Sequence, residues 1–204
     1  MKWTIGMVNC KSAVYIPFHL EGFRKFNNNF QFIIIDNSRP HERDALGTLA
    51  GDNVKIIYNQ PKHWSAGSGQ HGDALTDILK QTETEFLLLH DPDFFWVKKG
   101  ILKWLEGFLL EGNVVAGAPY PHEPGGFPTA FGSAYNVEKI KNLDFSAECQ
   151  TTGDAFPNKD TGWKIREAHK NNKFFSLDVM PKSQDFIKLV AGHGRASTGE
   201  KTNP

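Results

Sequence analysis

The sequence predicts an α/β fold in which one domain is built around a central, mostly parallel sheet flanked by helices. Two observations lead to this prediction. Apolar runs of strand length alternate with amphipathic runs of helical length from Trp3 to Ala118, an order typical of a parallel sheet with helices on both faces. Several apolar runs end abruptly in polar residues, as strands do where ligands bind at the edge of such a sheet. A chain of 204 residues is long enough for one substantial core.

Composition and charge restrict the class of protein. Lys and Arg together number 23, as do Asp and Glu, so the chain lacks the basic surplus of a nucleic-acid-binding protein. Cys10 and Cys149 lie far apart and belong to no metal or redox spacing, which favours reduced thiols in a cytoplasmic protein. The apolar stretch near Met1 is too short for a signal peptide, and no window approaches the roughly 18 apolar residues of a membrane span. We therefore expect a cytoplasmic protein without a transmembrane segment or a nucleic-acid partner.

The first part of the chain alternates strands with helices. Phe18, Phe23 and Phe26 recur at helical spacing, which predicts one helical face between the first two strands. The segment Gln60–Gly72 is rich in small residues, so we expect a loop whose backbone amides can face an anion, although it matches neither standard phosphate fingerprint. The predicted elements are strands Trp3–Val8, Phe30–Ile35, Val54–Tyr58, Phe86–Trp96 and Asn113–Ala118, and helices Tyr15–Phe26, an amphipathic run after Gly72, and Val97–Leu110.

The second part of the chain is predicted to be less regular. Pro119–Thr129 contains four prolines and two glycines, so it is predicted to be a long surface loop of the kind that is often functional. Asp160 is predicted near a helix start, where a carboxylate is favoured whether it has a chemical role or is an ordinary helix cap. The remaining predicted elements are strand Phe131–Val137, helix Asp160–Asn171, strand Phe174–Val179 and a mobile tail, Gly194–Pro204.

The stretch Phe86–Trp96, FLLLHDPDFFW, is the most informative part of the sequence. Its apolar run ends in Asp91 and Asp93, which are separated by a proline that stiffens the turn. Two carboxylates so placed can present oxygen atoms to one hard divalent cation, and that cation can hold a diphosphate. The alternative is a strand that ends in a solvated Asp-Pro turn. The stretch alone leaves both readings open.

Four motifs, in this order along the chain, resemble those of a family 2 glycosyltransferase of the GT-A fold. The resemblance covers roughly Trp3 to His193. The motifs are Asp36-Asn37-Ser38, Asn59 followed by Gly67–Gly72, Asp91-Pro92-Asp93 at the place of the family's Asp-X-Asp motif, and Asp160-Thr161-Gly162-Trp163 with Arg166. The chain departs from the family in having Gln70-His71 where an Arg-Asn pair is common and Lys159 where many members have a glutamate.

The resemblance implies an inverting glycosyltransferase that depends on Mn²⁺ or Mg²⁺. It would move a sugar from a nucleotide-diphosphate sugar, with a UDP-sugar as the first candidate, to the hydroxyl of a carbohydrate or another acceptor. The resemblance divides the chain into a donor-binding half (1–96) and an acceptor-side half (97–193), followed by the tail. The implied donor-binding residues are Asp36, Asn37, Ser38, Asn59, Gly67 and Asp91, and the implied metal ligands are Asp91, Asp93 and His193.

The implied general base is Asp160, with Asp154 in the preceding loop as the reserve candidate. Two other functions stay open. Lys159 in place of the glutamate is consistent with a non-catalytic protein that binds a nucleotide sugar or a carbohydrate on the same fold. A nucleotidyltransferase is the less favoured alternative, because the chain has no basic glycine-rich loop near its N-terminus.

Overall fold

The fold is described from a computed structural model, which describes residues 2–26, 29–40, 43, 46–59, 67–96, 99–119, 126–128, 130–150, 155–177 and 187–189. Strands and helices alternate through most of this range. The strands are β1 (Trp3–Asn9), β2 (Phe30–Asp36), β3 (Val54–Tyr58), β4 (Phe86–His90), β5 (Phe94–Trp96), β6 (Val115–Gly117), β7 (Gly132–Asn136), β8 (Phe175–Ser176) and β9 (Ile187–Leu189). The helices are α1 (Ile16–Phe26), α2 (Gly67–Lys80), α3 (Ile101–Leu110), α4 (Val137–Ile140) and α5 (Trp163–His169).

Seven of the strands form one mixed sheet in the order β3-β2-β1-β4-β7-β6-β8. Strands β3, β2, β1 and β4 are parallel, β7 is antiparallel to both of its neighbours, and β6 pairs parallel with β8. Strands β5 and β9 form a separate antiparallel pair. This architecture confirms the predicted α/β class with a mostly parallel, mixed central sheet.

Helices cover both faces of the sheet, and its central strands are therefore buried on both sides, whereas the edge strand β3 is partly exposed. Every residue of β1 and of β4 is buried, as expected for parallel strands between two helical layers. Alternate side chains of each strand enter two different cores: Phe32 packs with α1 and α3, whereas Ile33 packs with α2 and α5. Among the described residues, no helix is long and apolar enough to cross a membrane.

The predicted apolar face of α1 is only partly right. Phe23 is buried as expected, but the side chain of Phe18 is 61% exposed. The residues of α1 that enter the core are Ile16, Leu20 and Phe23, at the spacing of a helix that turns one face inwards. His19 lies beside them and is also buried.

Two predicted elements have different boundaries in the structure. Phe86–Trp96 is two strands rather than one, because the chain turns at Asp91–Asp93 and β5 then pairs with β9 instead of joining the main sheet. Residues 67–72, predicted as loop, form the first turns of α2. Gly72 is required there, since a Cβ atom at this position would lie 2.5 Å from the carbonyl oxygen of Phe145.

The parallel part of the sheet places the functional candidates at one edge. In the register of the sheet Asn9 lies beside Asp36, and Asp36 lies beside Tyr58, so the carboxyl ends of β1, β2 and β3 coincide. Strand β4 ends at the same edge and leads into Asp91. In open α/β sheets this edge forms the crevice in which ligands bind.

Candidate functional site

Asp36 is the centre of a buried polar network at the carboxyl ends of β1 and β2. Its Oδ1 atom accepts hydrogen bonds from Asn9 Nδ2 at 2.9 Å and from the backbone N–H of Ser38 at 3.0 Å. The hydroxyl oxygen of Ser38 in turn accepts from the backbone N–H of Lys11 at 3.1 Å. Asp36 Oδ2 is buried and finds no hydrogen-bond partner among the described residues. This oxygen is therefore an acceptor that a ligand N–H can satisfy.

A second set of hydrogen bonds ties this network to β3 and α2. Asn59 Nδ2 donates to Asn37 Oδ1 at 3.0 Å, and Asn37 Nδ2 donates to the backbone oxygen of Gln70 at 3.1 Å. Arg43 reinforces the end of β3, because it donates to the backbone oxygen of Asn59 at 2.7 Å and lies 5.0 Å above the ring of Tyr58. The structure thus brings together the predicted residues of the second and third strands.

Asp91, Pro92 and Asp93 form a turn, hereafter the Asp-Pro-Asp turn, whose backbone is fixed on two sides. The N–H of Phe94 donates to the carbonyl of Asp91 at 3.0 Å, and the N–H of Asp91 donates to the carbonyl of Phe131 at 3.0 Å. The buried ring of Phe94 lies against Gly132, where a Cβ atom would approach it to 2.6 Å. Asp91 and Asp93 are half-buried, so neither residue is enclosed in the core.

His71, on the first turns of α2, pairs with Asp91. Its Nε2 atom lies 3.3 Å from Asp91 Oδ1, and its side chain is 28% exposed. Burial lowers the pKa of His71, but the charge and hydrogen bond of Asp91, together with the charge of Asp160, outweigh burial and raise it. His71 therefore binds a proton more readily than an ordinary histidine does, and it stands in the position where the resembled family commonly has an asparagine.

Asp160 lies just before α5 and close to the start of α2. Its Oδ1 atom accepts from the N–H of Thr161 at 2.7 Å, and the hydroxyl of Thr161 donates to the backbone oxygen of Ser68 in α2 at 3.2 Å. The alternative that Asp160 or Thr161 is an ordinary helix cap does not hold. The cap is Gly162, which has a φ of 80° and makes no side-chain capping bond. A left-handed backbone favours glycine, which explains its place in the motif.

The acidic residues of the turn suit a divalent cation bound together with a substrate phosphate. In the described ranges no group of three or more His, Cys, Asp or Glu side chains is placed to hold a metal ion. Mg²⁺ in phosphate-processing sites is usually bound by one or two carboxylates plus substrate oxygens, which is the donor set that Asp91 and Asp93 offer. His193, predicted as a further ligand, lies outside the described residues, as do Asp154 and most of the predicted proline-rich loop and the whole predicted tail.

Strand β9 connects the later part of the chain to this turn. Its Leu189 pairs with Phe94 and its Ile187 with Trp96, so β9 runs antiparallel to β5 with its carboxyl end towards Asp93. No pattern in the sequence predicted this pairing. The chain therefore approaches the Asp-Pro-Asp turn four residues before His193.

Sequence reasoning located most of these residues but missed three. Asn9, which donates a hydrogen bond to Asp36, is a polar residue at the end of an apolar strand, as Asp36 is. The pattern that selected Asp36 could therefore also have selected Asn9. His71 was noted only as a departure from a motif, and His19, which contacts Pro92, carries no signal because it is one histidine on a helix. Gly67 is placed at the first residue of α2, where no heavy atom lies within 4 Å of the position its Cβ would take.

The fold is similar to that of solved structures of the GT-A class, as the sequence resemblance predicted. Among solved structures, S. aureus TarS matches with a TM-score of 0.64 and 18% identity over 94% of this chain. A structure of TarS 1–349 in complex with UDP-GlcNAc matches with a TM-score of 0.61 and 17% identity over 98% of the chain.

A third similar structure is glucosyl-3-phosphoglycerate synthase from Mycobacterium tuberculosis in complex with Mn²⁺, UDP and glucosyl-3-phosphoglycerate. It matches with a TM-score of 0.58 and 14% identity over 86% of this chain. The chain spans 37% of TarS, 61% of TarS 1–349 and 68% of the synthase. The sequence matches no protein-family model and no curated protein.

Proposed function

We propose that the protein is a metal-dependent, inverting glycosyltransferase that moves a sugar from a nucleotide-diphosphate sugar to an acceptor hydroxyl. One observation supports the proposal: contacts through the first turns of α2 link the Asp36 network, the Asp-Pro-Asp turn and Asp160, since Asn37 bonds to Gln70 while His71 pairs with Asp91 and feels the charge of Asp160. Each supplies a different requirement of the reaction, namely base recognition, control of the diphosphate and proton removal.

The Asp36 network is assigned to the nucleotide base. Asp36 Oδ2 is a buried acceptor at the carboxyl end of β2, and Asn37 and Asn59 beside it add further polar groups. A uracil ring carries an N–H donor that suits such an oxygen. The complexes of similar folds with UDP-GlcNAc and with UDP support a UDP-sugar as the first candidate donor.

Asp93 is assigned to a Mn²⁺ or Mg²⁺ ion bound with the donor's diphosphate. Such a cation supplies positive charge that stabilises the diphosphate as it leaves. Asp91 is held by His71 at 3.3 Å, so we assign it to orienting the donor or supporting the cation through water. His193 is proposed as a further ligand, on the ground that β9 runs towards Asp93 shortly before it.

Asp160 is assigned as the general base. The acceptor oxygen attacks the anomeric carbon of the donor while the bond to the diphosphate oxygen breaks, and Asp160 takes the proton from the acceptor hydroxyl. The bond from Thr161 N–H to Asp160 Oδ1 fixes the direction of the carboxylate. Attack on the face opposite the leaving group inverts the configuration at that carbon.

The test is a binding and turnover screen of UDP-, GDP-, TDP- and CMP-sugars with and without Mn²⁺. A ligand at a hundredfold excess over its Kd stabilises the folded protein by about 2.7 kcal/mol, which a thermal shift detects. We expect a Mn²⁺-dependent shift with a UDP-sugar that Asp93→Asn abolishes. The exposed Asp52 provides a matched control, since Asp52→Asn should bind as the wild type does.

Turnover decides between an enzyme and a binding protein. Asp160→Asn should retain donor binding and lose transfer, and full activity of this variant would show the base assignment to be wrong. Donor binding without product from a wide panel of hydroxyl acceptors would favour a non-catalytic binding protein. Lys159, in place of the family's glutamate, is the observation that keeps this second function under consideration.

A further inference from the structure

His19 of α1 contacts the Asp-Pro-Asp turn from inside the protein. His19 is 4% exposed, and its Nε2 atom lies 2.8 Å from the carbonyl oxygen of Pro92. A carbonyl oxygen can only accept a hydrogen bond, so Nε2 carries the proton and donates. The residues in contact are separated by 73 positions in the sequence.

Neighbouring rings hold the imidazole of His19 in the orientation that this bond needs. The ring of Phe95 is stacked on it, with centroids 4.2 Å apart and an angle of 11° between the planes. The ring of His90 meets it edge-on at 4.7 Å. Burial lowers the pKa of His19 to about 4, so the ring is neutral at neutral pH and has one N–H to donate. The donor is therefore fixed both in direction and in protonation.

The bond acts on the one peptide group that decides the shape of the turn. Asp91 to Phe94 is a four-residue turn with proline in the second position, and proline there is compatible with two turn types. The two types differ by a rotation of roughly 150° or more of the central peptide, which here joins Pro92 to Asp93. The second type needs a positive φ at Asp93. In the described part of the chain the non-glycine residues with positive φ are Lys11 and Asn158, so the turn at Asp93 is of the first type.

We propose that His19 is a positioning residue, whose hydrogen bond to Pro92 keeps the central peptide in one orientation and thereby fixes the direction in which the turn presents the Asp93 carboxylate. Rotation of this peptide would point the Pro92 carbonyl away from His19 and redirect the backbone that carries Asp93. The effect on cation binding rests on the proposed function, whereas the effect of His19 on the shape of the turn does not.

The test uses variants that separate the hydrogen bond from the ring. His19→Phe keeps the ring and its stacking on Phe95 but removes the donor, whereas His19→Gln keeps an N–H donor of similar reach and removes the ring. His19→Asn carries a donor that is too short to reach Pro92. Loss of an outer partner of a metal ligand typically weakens metal affinity by 10- to 100-fold. We expect His19→Phe and His19→Asn to bind Mn²⁺ in the presence of UDP about 10-fold more weakly than the wild type, and His19→Gln to stay near it.

Calorimetric titration measures this affinity, and metal-free UDP affinity should stay unchanged in all variants. Equal Mn²⁺ affinity of wild type and His19→Phe would overturn the proposal, as would equal weakening of His19→Phe and His19→Gln. If His19→Phe does not fold, the Mn²⁺ affinities of His19→Gln and His19→Asn are compared instead, and equal affinities would overturn the proposal. If the wild type binds neither Mn²⁺ nor Mg²⁺, the proposed function fails, and metal-free NMR then tests the turn. Both variants lack the imidazole ring and share the loss of its ring-current shift, so line width is the readout: the amide signals of Asp93 and Phe94 should broaden by exchange in His19→Asn and not in His19→Gln. Equal line widths in both would refute the role of His19.

Discussion

Acidification should destabilise the protein through His19, in a pH range that the structure defines. Burial lowers the pKa of His19 from its ordinary value of 6.5 to about 4, and the bond to Pro92 opposes this only in part. The groups that face its ring are the Pro92 carbonyl, Phe95 and His90, and burial lowers the pKa of His90 as well. Between pH 6.5 and about 4 the unfolded chain binds a proton at His19 that the folded protein does not bind. Stability is therefore complete above pH 6.5 and decreases as the pH falls towards 4.

The size of the effect follows from the two pKa values. At 1.36 kcal/mol per pH unit, the interval from 6.5 to about 4 corresponds to about 3.4 kcal/mol of unfolding free energy. Roughly 2 kcal/mol of this should be lost between pH 7 and pH 5. Such a loss is a large part of the 5–15 kcal/mol that typically stabilises a domain.

Urea unfolding of the wild type, His19→Phe and His19→Gln at pH 7 and pH 5 measures this contribution. Titrating groups away from His19 act equally in the three proteins. The charge of His19 also lowers the pKa of His90, so the difference between wild type and variant measures His19 together with its coupling to His90. Both variants should lose about 2 kcal/mol less than the wild type over this interval. If all three lose the same free energy with unchanged m-values, His19 does not titrate as the structure implies, and the linkage argument is wrong.

Three further predictions concern other parts of the fold. Gly72→Ala should destabilise the protein by about 1–3 kcal/mol, because the added methyl group meets the Phe145 carbonyl. Gly107→Ala in α3, where the space around the glycine is open, should instead stabilise the protein by about 0.5–1 kcal/mol. Thermal unfolding measures both effects. Thr76→Val should cost about 1–3 kcal/mol, because the hydroxyl of Thr76 accepts the buried N–H of Phe145 at 2.8 Å, and Thr76→Ser, which keeps the hydroxyl, should cost clearly less. Asp36→Asn should weaken UDP binding by about 10-fold or more, since it replaces a buried acceptor by an amide; unchanged calorimetric affinity would place the base elsewhere.

The first half of the fold could be predicted because its strands are buried on both faces. Continuous apolar runs such as Phe32–Ile35 identify such strands, and a run that stops at a polar residue marks the edge where parallel strands end together. That rule selected Asp36, Asn59 and Asp91, and the structure brings all three to one edge of the sheet. Local pattern and topology were sufficient here.

Contacts between distant segments could not be predicted in this way. His19 and Pro92, or Phe94 and Leu189, meet only after the sheet has formed, and no spacing in the sequence encodes the pairing. The glycines at the start of α2 were misread for the same reason. Glycine is unfavourable in helices by propensity alone, but Gly72 is needed by the backbone of Phe145, which lies 73 residues further along the chain.

Asp36 Oδ2, which has no hydrogen-bond partner in the part of the chain that the structure describes, implies a trade-off between stability and function. A buried polar atom without a partner costs the free protein about 1–3 kcal/mol, and a ligand that donates to it returns that energy as affinity. The surrounding bonds from Asn9 and Ser38 prevent the carboxylate from relaxing to a cheaper arrangement. The ligand-free protein is thus kept below its attainable stability at the residue that we propose recognises the base. Substitutions selected only for heat resistance should accumulate there at the expense of binding.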